Sequence, residues 1–241
     1  MNRLCIVTCL LSLLLAPALW AAGTLLVSPI RVHLSADSPT AVLSVINQGE
    51  QEKLIQLEVV HWTQQNGEDQ YQADNRILAT PPVFRLPAGE SQLIRLGLRQ
   101  VPQNLTEDAF RIFVREVPEQ HATQQALRMA LRLGIPIFVA PSAGAQRSAI
   151  DGLQWAMTKN PQGEISLQAL NQSHFHIQLH NIRLLQGKTE LKTLPGMKYL
   201  LPGQSYRWRI QPDNDSNGSG SYRVRADSDA GPVRFEIAAA Q

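Results

Sequence analysis

Apolar and polar positions alternate in short runs along most of the chain, and turn residues end each run. That is the pattern of strands with one buried face. Ala41 to Ile46 is such a run and stops at Asn47-Gln48-Gly49. Leu54 to Trp62 alternates for most of its length and stops near the turn dipeptide Asn66-Gly67. Phe84-Arg85-Leu86 leads into the turn Pro87-Ala88-Gly89-Glu90. Beyond it Leu93, Arg95 and Gly97 fall on one strand face, with Ile94, Leu96 and Leu98 on the other. Phe110 to Glu116 and Leu127 to Val139 bring the total to about seven strands by Ala140, the number of an immunoglobulin-like sandwich.

The small polar stretch Pro141 to Ser148 reads as a connection between domains. Strand patterns resume at Leu153 to Met157, Ile165 to Leu170, Phe175 to Leu185, Lys198 to Leu201, Tyr206 to Ile210, Tyr222 to Ala226 and Val233 to Ile237. The expected fold is all-β, with two immunoglobulin-like β-sandwich domains of which the second is smaller. No run has the period of an ordinary helix.

The first residues break this pattern. Arg3 is followed by an apolar run through Leu15 and then by small residues from Ala16 to Ala22, which is the three-part layout of a secretory signal peptide. The run is too short to span a bilayer, which takes about 20 residues. The expected organisation is a signal peptide over 1–22, cleaved after Ala21 or Ala22, a first domain over 23–142 and a second over 143–241.

Removing the signal peptide changes what composition means. The chain carries 22 Lys+Arg against 20 Asp+Glu, and loss of Arg3 leaves it almost neutral. Its basic residues are scattered among acids, so it lacks the clustered positive surface that nucleic acid requires. Both cysteines, Cys5 and Cys9, lie in the removed segment. The mature protein is expected to hold no disulfide, no thiolate-bound metal and no cysteine nucleophile. No later run is long and apolar enough for a membrane helix, so no membrane insertion of the mature chain is expected.

Three local sequences then resemble one known family. They are Ile77-Leu78-Ala79-Thr80-Pro81-Pro82-Val83-Phe84-Arg85-Leu86 with Pro87-Ala88-Gly89-Glu90 and Ile94-Arg95-Leu96; Phe113-Val114-Arg115-Glu116-Val117-Pro118; and Gly134-Ile135-Pro136-Ile137-Phe138-Val139-Ala140-Pro141. In order and spacing they resemble the periplasmic chaperones of chaperone–usher pilus assembly, the PapD-like family. The Gly-Ile-Pro-Ile-Phe form with Phe110-Arg111-Ile112 looks like its archaic branch. The resemblance implies two sandwiches in an L or boomerang with a cleft between them, a periplasmic location and no catalysis. The implied partners are pilin or fimbrial subunits and an outer-membrane usher. The chaperone lends an edge strand to an incomplete subunit, a form of β-augmentation.

The residues can be weighed against that mechanism. Leu127, Met129, Leu131 and Leu133 sit at period two and share one strand face, with Arg128, Ala130 and Arg132 on the other. Packing within their own sandwich is the alternative to donation; the resemblance favours donation. It also implies an anchor for the subunit's C-terminal carboxylate. Arg31 falls near the family's first position, but its lysine position is Pro136 here, and in the archaic branch an arginine at the place of Arg111 serves instead. Arg111 alternates with Phe110, Ile112 and Val114, as Arg31 does with Ile30, Val32 and Leu34. Either guanidinium suits bidentate carboxylate binding. An interdomain ion network is implied at Glu116, with Asp227 or Asp229 as its partner, although the family's arginine before Pro141 is Ala140. Whether the free protein caps its edge by dimerising stays open.

Other functions leave weaker traces. His174, His176 and His180 would share a strand face, but the segment spans about 20 Å when extended, too far for one metal. No metal or cofactor is expected. Gly89-Glu90-Ser91-Gln92 lacks the second glycine of a nucleophile elbow. A secreted immunoglobulin-like adhesion or carbohydrate-binding module shares the fold, but gains nothing from an apolar edge stripe, which invites aggregation.

Overall fold

Alternation becomes strand wherever one face finds a core. The computed structural model describes residues 25–100, 103–118, 130–142, 149–160, 164–211 and 221–237, and within them every regular element is a strand. The expected signal segment, Leu127 and Met129 lie outside the described residues. The first sandwich is built from β1 (Leu25–Ser28), β2 (Val32–Leu34), β3 (Thr40–Asn47), β4 (Lys53–Gln65), β5 (Glu68–Ala73), β6 (Ile77–Thr80), β7 (Val83–Leu86), β8 (Ser91–Leu98), β9 (Asp108–Val117) and β10 (Arg132–Val139). One sheet runs β1-β3-β8-β6; the other runs β2-β10-β9-β4-β5, with β7 on β4. Leu43 and Ile94 from the first meet Ile55, Ile112 and Ile137 from the second in one core, all fully buried. Each such side chain contributes roughly 1.5–3 kcal/mol by leaving water.

Two details of this sandwich were not evident from the alternation. Pro29 has no N–H to offer a ladder, and there the chain leaves one sheet for the other. Beyond it β2 pairs in parallel with β10, Val32 opposite Ile137 and Leu34 opposite Val139. Arg31 therefore lies in the crossover rather than on a strand, and its neighbour Ile30 is exposed. The second detail is β5. Asn66 and Gly67 both take positive φ, 54° and 83°, and close a two-residue hairpin with Gln65 opposite Glu68. That turn has the twist hairpins favour. Every residue of β5 is exposed, so its sequence carries no apolar alternation.

The second sandwich contains β11 (Leu153–Lys159), β12 (Ile165–Asn171), β13 (Ile177–Gln186), β14 (Thr189–Leu200), β15 (Ser205–Ile210), β16 (Tyr222–Ser228) and β17 (Gly231–Ile237). Its sheets run β11-β12-β15 and β14-β13-β16-β17 over a separate core. The strand expected only at Lys198 to Leu201 begins at Thr189, because Gly187, at φ 59°, turns the chain straight back along β13.

One corner recurs in both sandwiches. Asn47 is fully buried and its amide donates to the carbonyls of Gln51, Leu86 and Pro87. Asn171 is equally buried and donates to Phe175, Leu200 and Leu201. Each satisfies carbonyls that a turn would otherwise bury without partners, a loss of about 1–3 kcal/mol per group. The sandwiches meet through a small third cluster in which Trp62, Ala109 and Phe138 pack against Leu201 and Tyr199.

Candidate functional site

The N-terminal half of β10 is an open edge. β9 pairs with the whole strand, Leu133 opposite Val114 and Ile135 opposite Ile112, and the Leu131 carbonyl accepts from the Glu116 N–H at 3.0 Å. On the other side β2 reaches only Ile137 to Val139. Among the described residues, no strand pairs with 132–136 on that side. Leu131 and Leu133 lie half-buried at the rim of the first core, on the same strand face as Ile135 and Ile137. These two side chains are therefore neither sealed inside their own sandwich nor projected wholly into solvent.

Arg111 projects from the opposite face of that sheet. Phe110, Ile112 and Val114 are buried in the core, so alternation turns Arg111 outward toward the domain junction. Its guanidinium lies 4.1 Å from the Trp62 ring centre and 5.4 Å from that of Tyr71, within cation–π reach of both. Nη1 donates to the Tyr71 hydroxyl at 2.7 Å, and Asp69 stands 3.8 Å away. Among the described residues, Nε is buried and lacks a hydrogen-bond partner. Gly134 makes room for this arrangement: a Cβ there would come within 2.9 Å of the Phe113 ring and 3.0 Å of Arg111 Cδ. Nearby, Arg132 stacks on Phe113 at 3.6 Å.

Arg31 has a different setting. Nη1 donates to Asp229 at 2.7 Å, and Nη2 donates to Gln178 at 2.5 Å and to the Tyr199 hydroxyl at 2.9 Å. All three partners belong to the second sandwich. Asp229 continues the link to His176 Nε2 at 3.2 Å, and His176 Nδ1 meets Glu107 of the first sandwich at 2.5 Å. The imidazole stacks on Phe138 with ring centres 3.4 Å apart. Burial pushes the His176 pKa down, but hydrogen bonds and charge from Asp229 and Glu107 outweigh it and hold the group above its ordinary value. For Asp229, burial is outweighed by His176, the Gln178 N–H and Arg31, which hold its carboxyl below the usual range.

Of the residues expected at the domain junction, Asp229 is there, whereas Glu116 and Asp227 sit elsewhere. Glu116 pairs with Lys53 at 2.8 Å within the first sandwich, and Asp227 accepts from Asn181 at 2.9 Å within the second. The bridging carboxylates are Glu107 and Asp229. Glu107 is placed by its backbone N–H, which donates to the His174 carbonyl at 2.8 Å. His174 and His176 thus serve the junction with different groups, one through its carbonyl and one through its ring. A cavity of about 480 Å³ nearby is lined by Arg76, Asp108, Phe110 and Val139. Its cation is committed, since Arg76 bonds both Asp74 and Asp108.

Comparison with known proteins finds relatives of the same fold. Residues 24–145 match the pili and flagellar-assembly chaperone family, PapD N-terminal domain. The chaperone protein FimB/FhaD of Bordetella pertussis is 23% identical over 227 residues, 91% of this chain and 88% of that protein. Two solved complexes share the fold at TM-score 0.65. One is the CsuC–CsuE chaperone–tip adhesion subunit pre-assembly complex from archaic chaperone-usher Csu pili of Acinetobacter baumannii, at 22% identity over 89% of this chain and 98% of that one. The other is the SafA pilin of Salmonella enterica with the SafB chaperone, at 20% identity over 90% and 97%.

Proposed function

The chain belongs to the family of pili and flagellar-assembly chaperones, and from that premise we propose that it captures pilus subunits by lending them the open edge of β10. A subunit lacking its last strand takes up main-chain hydrogen bonds from this edge, while Leu127, Met129, Leu131 and Leu133 occupy its unfinished core. Each apolar side chain buried this way contributes roughly 1.5–3 kcal/mol before the costs of association. The complex is then passed to an outer-membrane usher. The work is done in the periplasm after loss of residues 1–22, by a first domain over 23–142 and a second over 143–241, and without catalysis. Family membership leaves a free-standing adhesion module without support.

The observation that carries this reading is the edge itself: half of β10 is paired on one side only, next to two apolar side chains held at the rim of the core. Arg111 is the anchor for the subunit's terminal carboxylate. Arg31 faces the same junction but is held by partners in the second sandwich. Co-expression with a pilin-like subunit, exported to the periplasm, tests the function. The subunit accumulates with the wild-type chain and is degraded with Leu131→Asp, which forces a charge into an apolar groove. Equal accumulation with either chain, or with none, refutes the proposal.

A further inference from the structure

Tyr71 and Asp69 lie on a strand that shows no apolar pattern, yet they make the only polar contacts recorded for Arg111 among the described residues. The two contacts differ in kind. The Tyr71 hydroxyl accepts from Arg111 at 2.7 Å and donates to Asp69 Oδ2 at 3.1 Å. Asp69 itself stands 3.8 Å from the guanidinium, well beyond the roughly 2.7–2.9 Å of a direct charge-assisted bond. It is also the more exposed partner, at 37% against 18% for Arg111. The free protein thus holds its cation through a phenol and keeps a carboxylate beside it at a distance.

The neighbouring rings complete the arrangement. Trp62 and Tyr71 face the guanidinium, and Tyr71 in turn meets Phe113 edge-on at 5.4 Å. A planar fork with five N–H donors, turned by two rings and pinned at Nη1, has its remaining donors set in direction before any ligand arrives. Burial, reinforced by Asp69 and opposed by Arg111, raises the Tyr71 pKa, so the hydroxyl remains protonated and able to donate.

Resting on the reading of Arg111 as the carboxylate anchor, we propose that Tyr71 is a positioning residue for its guanidinium and that Asp69 is a resident carboxylate which the subunit's chain end must outcompete. Together they set how strongly the cleft prefers a free C-terminal carboxylate to a neutral end. Tyr71 raises that preference by orienting the fork. Asp69 lowers it by supplying negative charge already in place.

The test is a ratio of affinities, measured by calorimetry on the mature chain. The probe is a synthetic nonapeptide of alternating Val and Thr, with a free carboxylate or a C-terminal amide. Wild type prefers the acid. Tyr71→Phe keeps the ring but loses the hydroxyl, and the preference falls about threefold to tenfold, as expected for one hydrogen bond. Asp69→Asn raises it by about threefold, the worth of a partly exposed charge. Arg111→Ala abolishes it. If wild type shows no preference, or Arg111→Ala retains one, the anchor reading fails. If Arg111→Ala loses the preference while Tyr71→Phe and Asp69→Asn match wild type, the anchor stands and this proposal is overturned.

Discussion

Arg31 and Arg111 look alike along the chain, each a lone cation among apolar neighbours, and the fold gives them opposite settings. Arg31 is drawn into the crossover between the sheets and saturated by Asp229, Gln178 and Tyr199 of the second sandwich. Among the described residues, Arg111 lies beside two rings, is bonded once to Tyr71 and keeps a buried Nε without a hydrogen-bond partner. The difference shows how a cation is kept available: aromatic faces hold its position without using up its donors, whereas carboxylates and amides do use them. One arginine joins the domains; the other is the one proposed above to receive the subunit's chain end.

Exchanging the two by mutation breaks or sharpens this contrast. Arg111→Ala has the larger effect, lowering capture of a subunit about 10- to 100-fold, the worth of one or two charge-assisted hydrogen bonds. Its unfolding midpoint stays near that of wild type. Arg31→Ala has the reverse profile, lowering unfolding stability by about 1–2 kcal/mol and capture by no more than about threefold. Subunit affinity and denaturant unfolding, measured on both variants, check the pair. Equal profiles would erase the distinction.

A smaller effect comes from pH, through the network that holds Arg31. The folded pKa of His176 is raised, so its contribution is complete below the unfolded value of about 6.5 and is lost as pH rises through the raised value. Asp229 is depressed, so its contribution is present above about 3.9 and is lost as pH falls through the lower value. The domain junction is therefore firmest in mildly acidic solution and loosens toward alkaline pH. Denaturant unfolding from pH 5.5 to 8.5 should show declining stability in wild type and a flatter profile in His176→Gln. One proton limits the slope to about 1.4 kcal/mol per pH unit. Among the described residues, those in contact with the Arg111 guanidinium are Trp62, Tyr71 and Asp69, none of them a histidine.

The same contrast marks what could be read from residues. Strands with one buried face announce themselves, and the alternation of Phe110, Ile112 and Val114 puts Arg111 on the outer face. β5 could not be read that way, because a strand with no buried residue has no period to detect. Its one signal is Asn66-Gly67, whose positive φ values suit a two-residue hairpin, and following that turn outward leads to Asp69 and Tyr71. The junction was harder still. Glu107, His176 and Asp229 are brought together from three distant segments, and spacing along a chain does not encode such a meeting. The choice between Asp227 and Asp229 turns on the register of β16 and β17, where Asp227 lies opposite Pro232 and Asp229 falls in the turn beyond.

Lending of the β10 edge is measured most directly by amide hydrogen exchange on the chaperone, alone and bound to its subunit. In the free protein, amides in residues 130–135 that do not bond to β9 should exchange quickly. In the complex those same amides should become protected by the subunit's main chain. Protection confined to other surfaces, with these amides exchanging as fast as before, would contradict strand donation.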